Sequence, residues 1–341
     1  MEERLTAAGG ELAAVIRAGV ATVTLNRPSA LNALSLGMIE GLSAWLQEWR
    51  DDDRVRTIVL RGAGEKAFCA GGDIRALHDG IKAGSTLPQR FFVAEYALDF
   101  AVHTYPKTIV ALMDGIVMGG GMGIGQGAAL RIVGDRTRMA MPETAIGLFP
   151  DVGGSYFLSR LPAPLGRYLA LVGPTLRASD AIYCGLADLD VGAAPPAPGE
   201  VGALRPAIDE HFGHESVAAI VASLEAEQHA AHVEWARKTV EAMAKRSPTM
   251  LAVTFEQLRR GATMDLADCF RMELNLIHGC FDQGDFIEGI RALIVEKDNR
   301  PRWNPPALAQ VDPAAVARFF EPRWTPARHP LASLQQPART P

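Results

Sequence analysis

Apolar and polar positions alternate from Leu12 to Asn26, and Arg17-Ala18-Gly19 splits the run in two. A period of two around a glycine-bearing break predicts a β-hairpin. From Ser35 the spacing changes. Leu36, Ile39, Leu42, Leu46 and Trp49 recur at the interval of an amphipathic helix. Asp51–Asp53 make a polar turn, and Val55–Leu60 reads as a buried strand. A glycine-bearing loop, Gly62 to Asp73, precedes a helix over Gln89–Tyr105 that Pro106 closes. Thr108–Met113 is another apolar strand. After Gly115 and the Gly119–Gly121 run comes a helix of small residues. Arg131–Val133 and Arg138–Ala140 read as short strands ahead of Pro142-Glu143. Residues 150–186 read as helical, with turns at Gly153-Gly154 and Gly173-Pro174. Strands alternating with helices imply an α/β unit. The pattern then breaks at GAAPPAPGE (192–200), a connector by composition. Helical spacing resumes and runs to residue 297, and the tail from Asn299, rich in Pro, Arg and Trp, reads as irregular. The predicted division is an α/β core over 1–190, a connector over 191–214 and a mainly helical region over 215–341.

Composition narrows the class. A length of 341 residues accommodates two domains at roughly 150 residues each. Hydrophobic residues make up 48% and charged residues 21%, which supplies a core and excludes a wholly disordered chain. The net charge is −5 and no Lys/Arg block occurs, which argues against a nucleic-acid partner. Cys69, Cys184, Cys269 and Cys280 lie far apart without a C-x-x-C pair. They read as reduced thiols of a cytoplasmic protein. The N-terminal MEERLTAAGG is acidic and has no long apolar run, so no secretory signal is expected. Asp114 and Gln126 interrupt the apolar stretch 108–134, so no membrane span is expected either.

Two glycine-rich turns follow strands, at Gly71-Gly72 and Gly119-Gly120-Gly121. Glycine lets a backbone approach a ligand closely, and two convergent N–H groups can build an oxyanion hole. Tight turns alone explain either one equally well. In MPETAIGLFPD (141–151), Glu143 and Asp151 stand eight positions apart in an apolar run. Burial there would raise a carboxyl pKa and suit it to proton transfer. The alternative is that Glu143 caps a turn and Asp151 caps a helix. Gly123–Ala128 fits the permissive dinucleotide pattern G-x-G-x-x-A, but its glycines should lie inside the helix rather than in the turn. Gly153-Gly154-Ser155-Tyr156-Phe157 lacks the closing glycine of a nucleophile elbow. The pairs His211/His214 and His229/His232 show no third ligand, so no metal is expected.

Taken together, LNRPSALNALS (25–35), KAFCAGGDI (66–74), DGIVMGGGMGIG (114–125) and MPETAIGLFPDVGG (141–154) resemble the crotonase superfamily in order and spacing. AMPETAIGLFPDVGGSYFLSRL (140–161), SPTMLAVTFEQL (247–258), DFIEGIRALIVEKD (285–298) and PRWNPPAL (301–308) resemble its branch that hydrolyses 3-hydroxyisobutyryl-CoA. The resemblance covers roughly residues 11–311. It implies an α/β (α+β) spiral of repeated β-β-α units with a helical C-terminal region. It also implies an acyl-CoA substrate, with no separate cofactor. Gly72 and Gly120 would then form the oxyanion hole, and Glu143 and Asp151 would be the catalytic acids. Glu95, in VAEY, would contact the acyl group, while Ala70 and Arg27 would lie along the CoA. Hydratases of the superfamily carry a first glutamate where this chain has Gly123, so half of their acid–base pair is missing. Ser29 stands where the family often has Lys. Crotonases commonly form trimers or pairs of trimers, while the long C-terminal region of the hydrolase branch could cover that surface, so a homo-oligomer is left open; the tail past residue 320 is outside the resemblance. Two rival readings stay open: an enoyl-CoA hydratase or isomerase, and a non-catalytic acyl-CoA-binding protein.

Overall fold

The computed structural model describes residues 2–162, 164–192 and 199–335. Most of the connector motif, residues 193–198, lies outside the described residues.

Among the described residues, ten strands form two sheets. Strands β1 (Glu3–Ala7), β2 (Leu12–Arg17) and β3 (Val20–Leu25) pair antiparallel. The predicted hairpin is β2–β3. Its turn places Ala18 at φ 52° and Gly19 at φ 85°, the positive values that match the twist of a two-residue hairpin. Leu12, Ala14 and Ile16 face the core from one strand, and Ala21, Val23 and Leu25 from the other. The sheet continues in parallel through β4 (Thr57–Gly62) to three later strands. Strand β5 (Ala67–Cys69) instead starts a second, three-stranded sheet. The chain then repeats this split. Strands β6 (Thr108–Leu112) and β8 (Leu130–Val133) extend the large sheet, while β7 (Ile116–Met118) and β9 (Arg138–Ala140) extend the small one. A short β10 (Leu189–Asp190) closes the large sheet beside β8. Each turn of the chain gives one strand to each sheet and then a helical segment, which is the expected spiral of β-β-α units.

The helices fill the outside. Helix α1 (Leu36–Trp49) begins at Ser35, whose hydroxyl accepts the Met38 N–H, and buries Met38, Ile39, Leu42, Leu46 and Trp49. Helix α2 (Ile74–Lys82) is absent from the sequence reading. Asp73 caps it by accepting the Ala76 N–H. Helix α3 (Leu87–His103) packs against α1, and helix α4 (Gly120–Gln126) is the expected helix of small residues. Gly123–Gln126 therefore lie inside a helix, and no dinucleotide turn forms.

Helices α5 (Gly154–Phe157), α6 (Leu165–Val172) and α7 (Ala178–Tyr183) follow. Helix α8 (Glu200–His211) occupies much of the segment predicted as connector, so that prediction is too long. Its apolar positions Val201, Ala207 and Ile208 are buried, and this packing outweighs the Pro/Gly-rich context. Helices α9 (Val217–Glu225), α10 (Val233–Ala244), α11 (Pro248–Gly261), α12 (Leu266–Gln283) and α13 (Asp285–Ile290) make the expected helical region. One more, α14 (Pro313–Phe319), lies in the tail read as irregular. No helix among the described residues is long and apolar enough to cross a membrane.

The helical region does not stand apart from the core. Helix α12 packs on α3, and α13 packs on α2 and on the turn Glu143–Ile146. That turn ends at Gly147, with φ 72°. A Cβ there would overlap the Asp285 carbonyl at the start of α13. Gly147→Ala is therefore expected to destabilise the fold by at least about 1–3 kcal/mol, read as a lowered Tm in thermal unfolding.

Candidate active site

The small sheet aims three loops at one place. Strands β5, β7 and β9 run parallel, so their C-terminal ends share one edge. From that edge leave Ala70–Asp73, Gly119-Gly120 and Met141–Glu143. They line a cavity of about 800 Å³ together with Glu95, Asp151 and, from the helical region, Phe286, Leu293, Ile294 and Lys297.

Backbone geometry at the glycines is suited to holding a carbonyl. Leu34 pairs with Gly72 as a parallel bridge, using Gly71 O and Asp73 N. The Gly72 N–H therefore faces away from Leu34. Gly120 is the first residue of α4, where an N–H has no partner within its own helix. Gly119 holds φ 47° and ψ −123°, the conformation that starts this turn. Neighbouring groups crowd close. A Cβ at Gly72 would fall 2.8 Å from the Phe91 ring, and one at Gly120 would overlap Glu95 Oε1. A Cβ at Gly119 would lie 3.4 Å from Glu143 Oε1. Gly72, Gly120, Glu95 and Glu143 thus converge, and Ala70 lies beside them on the cavity wall.

The three predicted acids meet here although they come from different elements. Glu95 lies on α3, Glu143 opens the turn after β9, and Asp151 lies in the loop before α5. All three are buried. The helix-cap reading does not hold for Asp151: Gly153 is the N-cap of α5, and the Asp151 side chain turns to Tyr96. Burial, and then the Asp151 charge, push the Glu143 carboxyl well above its ordinary range. Burial pushes Asp151 up to about 7, against the Tyr96 hydroxyl, which donates to its Oδ2 at 2.8 Å and favours the charged form. Burial also raises Glu95, with the Asp151 and Glu143 charges adding to it.

Several residues at this site had no role in the sequence reading. Tyr96 is one. Glu273, on α12, accepts the Gly153 N–H at 2.8 Å and the Ser155 N–H at 2.9 Å, which pins the loop carrying Asp151. Gln257, on α11, donates to the Pro150 carbonyl and to Ser155 Oγ. Asp99 packs on Gly123, where a Cβ would lie 2.6 Å from its Oδ2. The available signal was a polar residue on an otherwise apolar helical face. Asp99 follows Glu95 by one turn among Phe91, Phe92, Leu98 and Val102, and Glu273 stands among Phe270, Leu274 and Ile277.

Arg27 does lie at the cavity rim, but its guanidinium is already engaged. It pairs with Glu11 at 2.9 Å and Asp73 at 3.0 Å and donates to the Ala33 carbonyl. Ser29 shares that rim, and so does Lys297, which makes no ion pair among the described residues. The four cysteines are free and buried. His211 has a carboxylate neighbour that spacing did not reveal. Its Nε2 lies 2.9 Å from Glu227 and its Nδ1 2.8 Å from Ser223, with Glu210 close by. Both ring nitrogens are thus committed to hydrogen bonds.

Known proteins share this architecture and sequence. Residues 20–196 and 189–320 match the enoyl-CoA hydratase/isomerase family. The chain is 41% identical over 338 residues to the mitochondrial 3-hydroxyisobutyryl-CoA hydrolase of Gallus gallus, covering 89% of this chain and 87% of that one. It is 36% identical to 3-hydroxyisobutyryl-CoA hydrolase 1 of Arabidopsis thaliana, covering 89% and 90%. Among solved structures, a carnitinyl-CoA dehydratase from Mycobacterium thermoresistibile superimposes with a TM-score of 0.86 at 39% identity, covering 92% of this chain and 96% of that one. An enoyl-CoA hydratase from Rhodobacter sphaeroides 2.4.1 gives the same TM-score at 37% identity, covering 92% and 98%. By fold, by site and by sequence, the chain belongs to the enoyl-CoA hydratase/isomerase family.

Proposed function

We propose that the protein hydrolyses the thioester of 3-hydroxyisobutyryl-CoA, or a close short-chain 3-hydroxyacyl-CoA, to the free acid and CoA, as a step of valine breakdown. The observation that carries this is the set of acids in the cavity. Glu143 and Asp151 both reach it, beside two glycine N–H groups. Gly123 brings no carboxylate, and the Asp99 side chain fills the space over it. Relatives named as 3-hydroxyisobutyryl-CoA hydrolases support the substrate.

In this reading the Gly72 and Gly120 N–H groups receive the thioester oxygen as it gains negative charge. Losing one such donor costs about 2.7–4 kcal/mol of transition-state stabilisation in other enzymes. Glu143, when ionised, is a strong base for a carboxylate because its site disfavours the charge. It takes a proton from water, or attacks the carbonyl to give an anhydride that water then opens. Asp151 gives its proton to the departing CoA sulfur. The reacting form therefore holds one proton on Asp151 and none on Glu143. Tyr96 fixes the Asp151 carboxyl, and Glu273 fixes its loop. Glu95 faces the 3-hydroxy end of the acyl group. Ala70 flanks the pantetheine, and Lys297, rather than the already paired Arg27, supplies positive charge at the rim for phosphates. A single turnover in heavy-oxygen water separates the two routes, since only the anhydride route places label in Glu143.

A second reading, hydration or isomerisation of an enoyl-CoA, is favoured by the likeness to the enoyl-CoA hydratase from Rhodobacter sphaeroides 2.4.1. A non-catalytic acyl-CoA-binding role would not need both Glu143 and Asp151. The four buried free cysteines support a reducing compartment, the cytoplasm in this reading. Assembly as a homo-oligomer rests on the family alone.

The reading is tested by CoA thiol release from 3-hydroxyisobutyryl-CoA, with crotonyl-CoA hydration run in parallel. Thiol release should dominate, and hydration without thiol release would overturn the reading. Glu143→Gln and Asp151→Asn should each lower kcat by about a hundred- to ten-thousand-fold with KM little changed. Tyr96→Phe removes a donor that favours the Asp151 carboxylate. The Asp151 titration should then move above about 7, and the pH profile of kcat should move to higher pH with it.

A further inference from the structure

The turn after Asp151 holds a residue that suits it badly. The Gly154 N–H donates to the Asp151 carbonyl at 2.8 Å, which closes a four-residue turn around Val152 and Gly153. Val152 has φ 53°, and Gly153 has φ 88° with ψ 6°. Positive φ at both central positions is the type I′ geometry, which glycine, asparagine and aspartate favour. Val152 is the only β-branched residue with positive φ among the described residues. Its branched side chain crowds the backbone in this left-handed region, so the conformation is strained. Hydrogen bonds on either side hold it there. Before the turn, Gln257 donates to the Pro150 carbonyl at 2.6 Å and Tyr96 to Asp151 Oδ2 at 2.8 Å. After it, Glu273 accepts the Gly153 and Ser155 N–H groups. A strained residue persists where its surroundings over-determine it, and such residues gather at working sites. Glycine or asparagine would make the turn alone with less strain. What valine adds is a branched apolar side chain. Val152 is 1% exposed and lines the cavity next to Asp151.

We propose that Val152 is a positioning residue of the site: the strained turn sets its branched side chain in the cavity wall, where it keeps water from the Asp151 carboxyl. The use made of Asp151, as proton donor to the departing sulfur, rests on the hydrolase reading, whereas a dry Asp151 does not. Burial holds the Asp151 acid at about 7 against the pull of the Tyr96 hydroxyl. The groups that feel the Asp151 charge are acids, a phenol and a thiol. They are Glu95, Tyr96 and Asp99 on α3, Glu143 after β9, and Glu273 and Cys280 on α12. No cation is among the groups acting on Asp151. With no cation to favour its charged form, the water that reaches the carboxyl decides how readily it ionises. Removing the valine branch opens the wall to that water.

The test is Val152→Gly, which keeps the turn and removes the branch, beside Val152→Ile, which keeps both. The Asp151 titration is read on the free protein from its carboxyl infrared band, by difference against Asp151→Asn. It should move down by about one pH unit in Val152→Gly and stay in place in Val152→Ile. A titration unmoved in the folded glycine protein, or moved equally in both variants, would overturn the proposal. Val152→Ala, which also lacks the branch, is read in the same way should the glycine protein not fold. Thiol release is measured separately. Where the wild type releases thiol, the pH profile of kcat in Val152→Gly should move to lower pH with the titration, and an unmoved profile would overturn the positioning role. Where it releases none, the hydrolase reading fails, and the titrations on the free protein still decide whether Val152 keeps Asp151 dry.

Discussion

The parallel register of three very short strands sets the geometry of everything at the site. Ala67 pairs with Ile116, and Ile116 with Arg138, so three loops leave one edge at nearly one level. The Gly72 and Gly120 N–H groups and the Glu143 carboxyl come from those loops. A slip of one residue in any pairing would turn that strand's side chains to the opposite face and move its loop by about 3.3 Å. The strands are too short to hold register by themselves. The large sheet beside them does so, through longer parallel pairings such as Val20–Leu25 with Thr57–Gly62.

The second feature is a concentration of acid without matching base. Glu95, Asp99, Glu143, Asp151 and Glu273 are all buried in one region. The nearby Arg246 acts on Glu143 but is itself largely buried, and its Nε has no partner. Charges that are neither solvated nor paired are costly, so protons rather than cations balance the site. Hydrogen bonds then decide which acid can release its proton. Asp151 has Tyr96 to support its charged form, and Glu273 has two backbone N–H groups. Asp99 has neither. Different supports for chemically similar groups divide the work among them.

Much of this was legible in the chain. The β2–β3 hairpin and helix α1 follow from periodicity alone, because each has one buried face and a clear boundary residue. Motif order carried the spiral and brought Glu143, Asp151, Gly72 and Gly120 together in expectation. What stayed hidden depends on contacts distant in sequence. Helix α2 begins just past the stretch whose glycines suggested only a loop, and Asp73, the last residue of that stretch, is the cap that starts it. Arg27 reads as a phosphate ligand until Glu11 and Asp73 are seen on either side of it. Glu273 meets Gly153 across 120 positions, a distance at which no local pattern survives. The Pro/Gly-rich connector misled at its far end because α8 is stabilised by what it packs against, not by its own composition.

The wall formed by α13 and the residues after it has a consequence for how the protein is made. All the acids that face the cavity are encoded by residue 151, yet Phe286, Leu293, Ile294 and Lys297 complete that cavity. A growing chain that has emerged through β10 carries every one of those acids with one side of the site still open to water. Water there would hydrate the carboxylates and return them to ordinary acidity. Synthesis of the last helices thus turns on the chemistry of groups made much earlier, and a chain cut short before residue 286 would keep the acids without the surroundings that make them reactive.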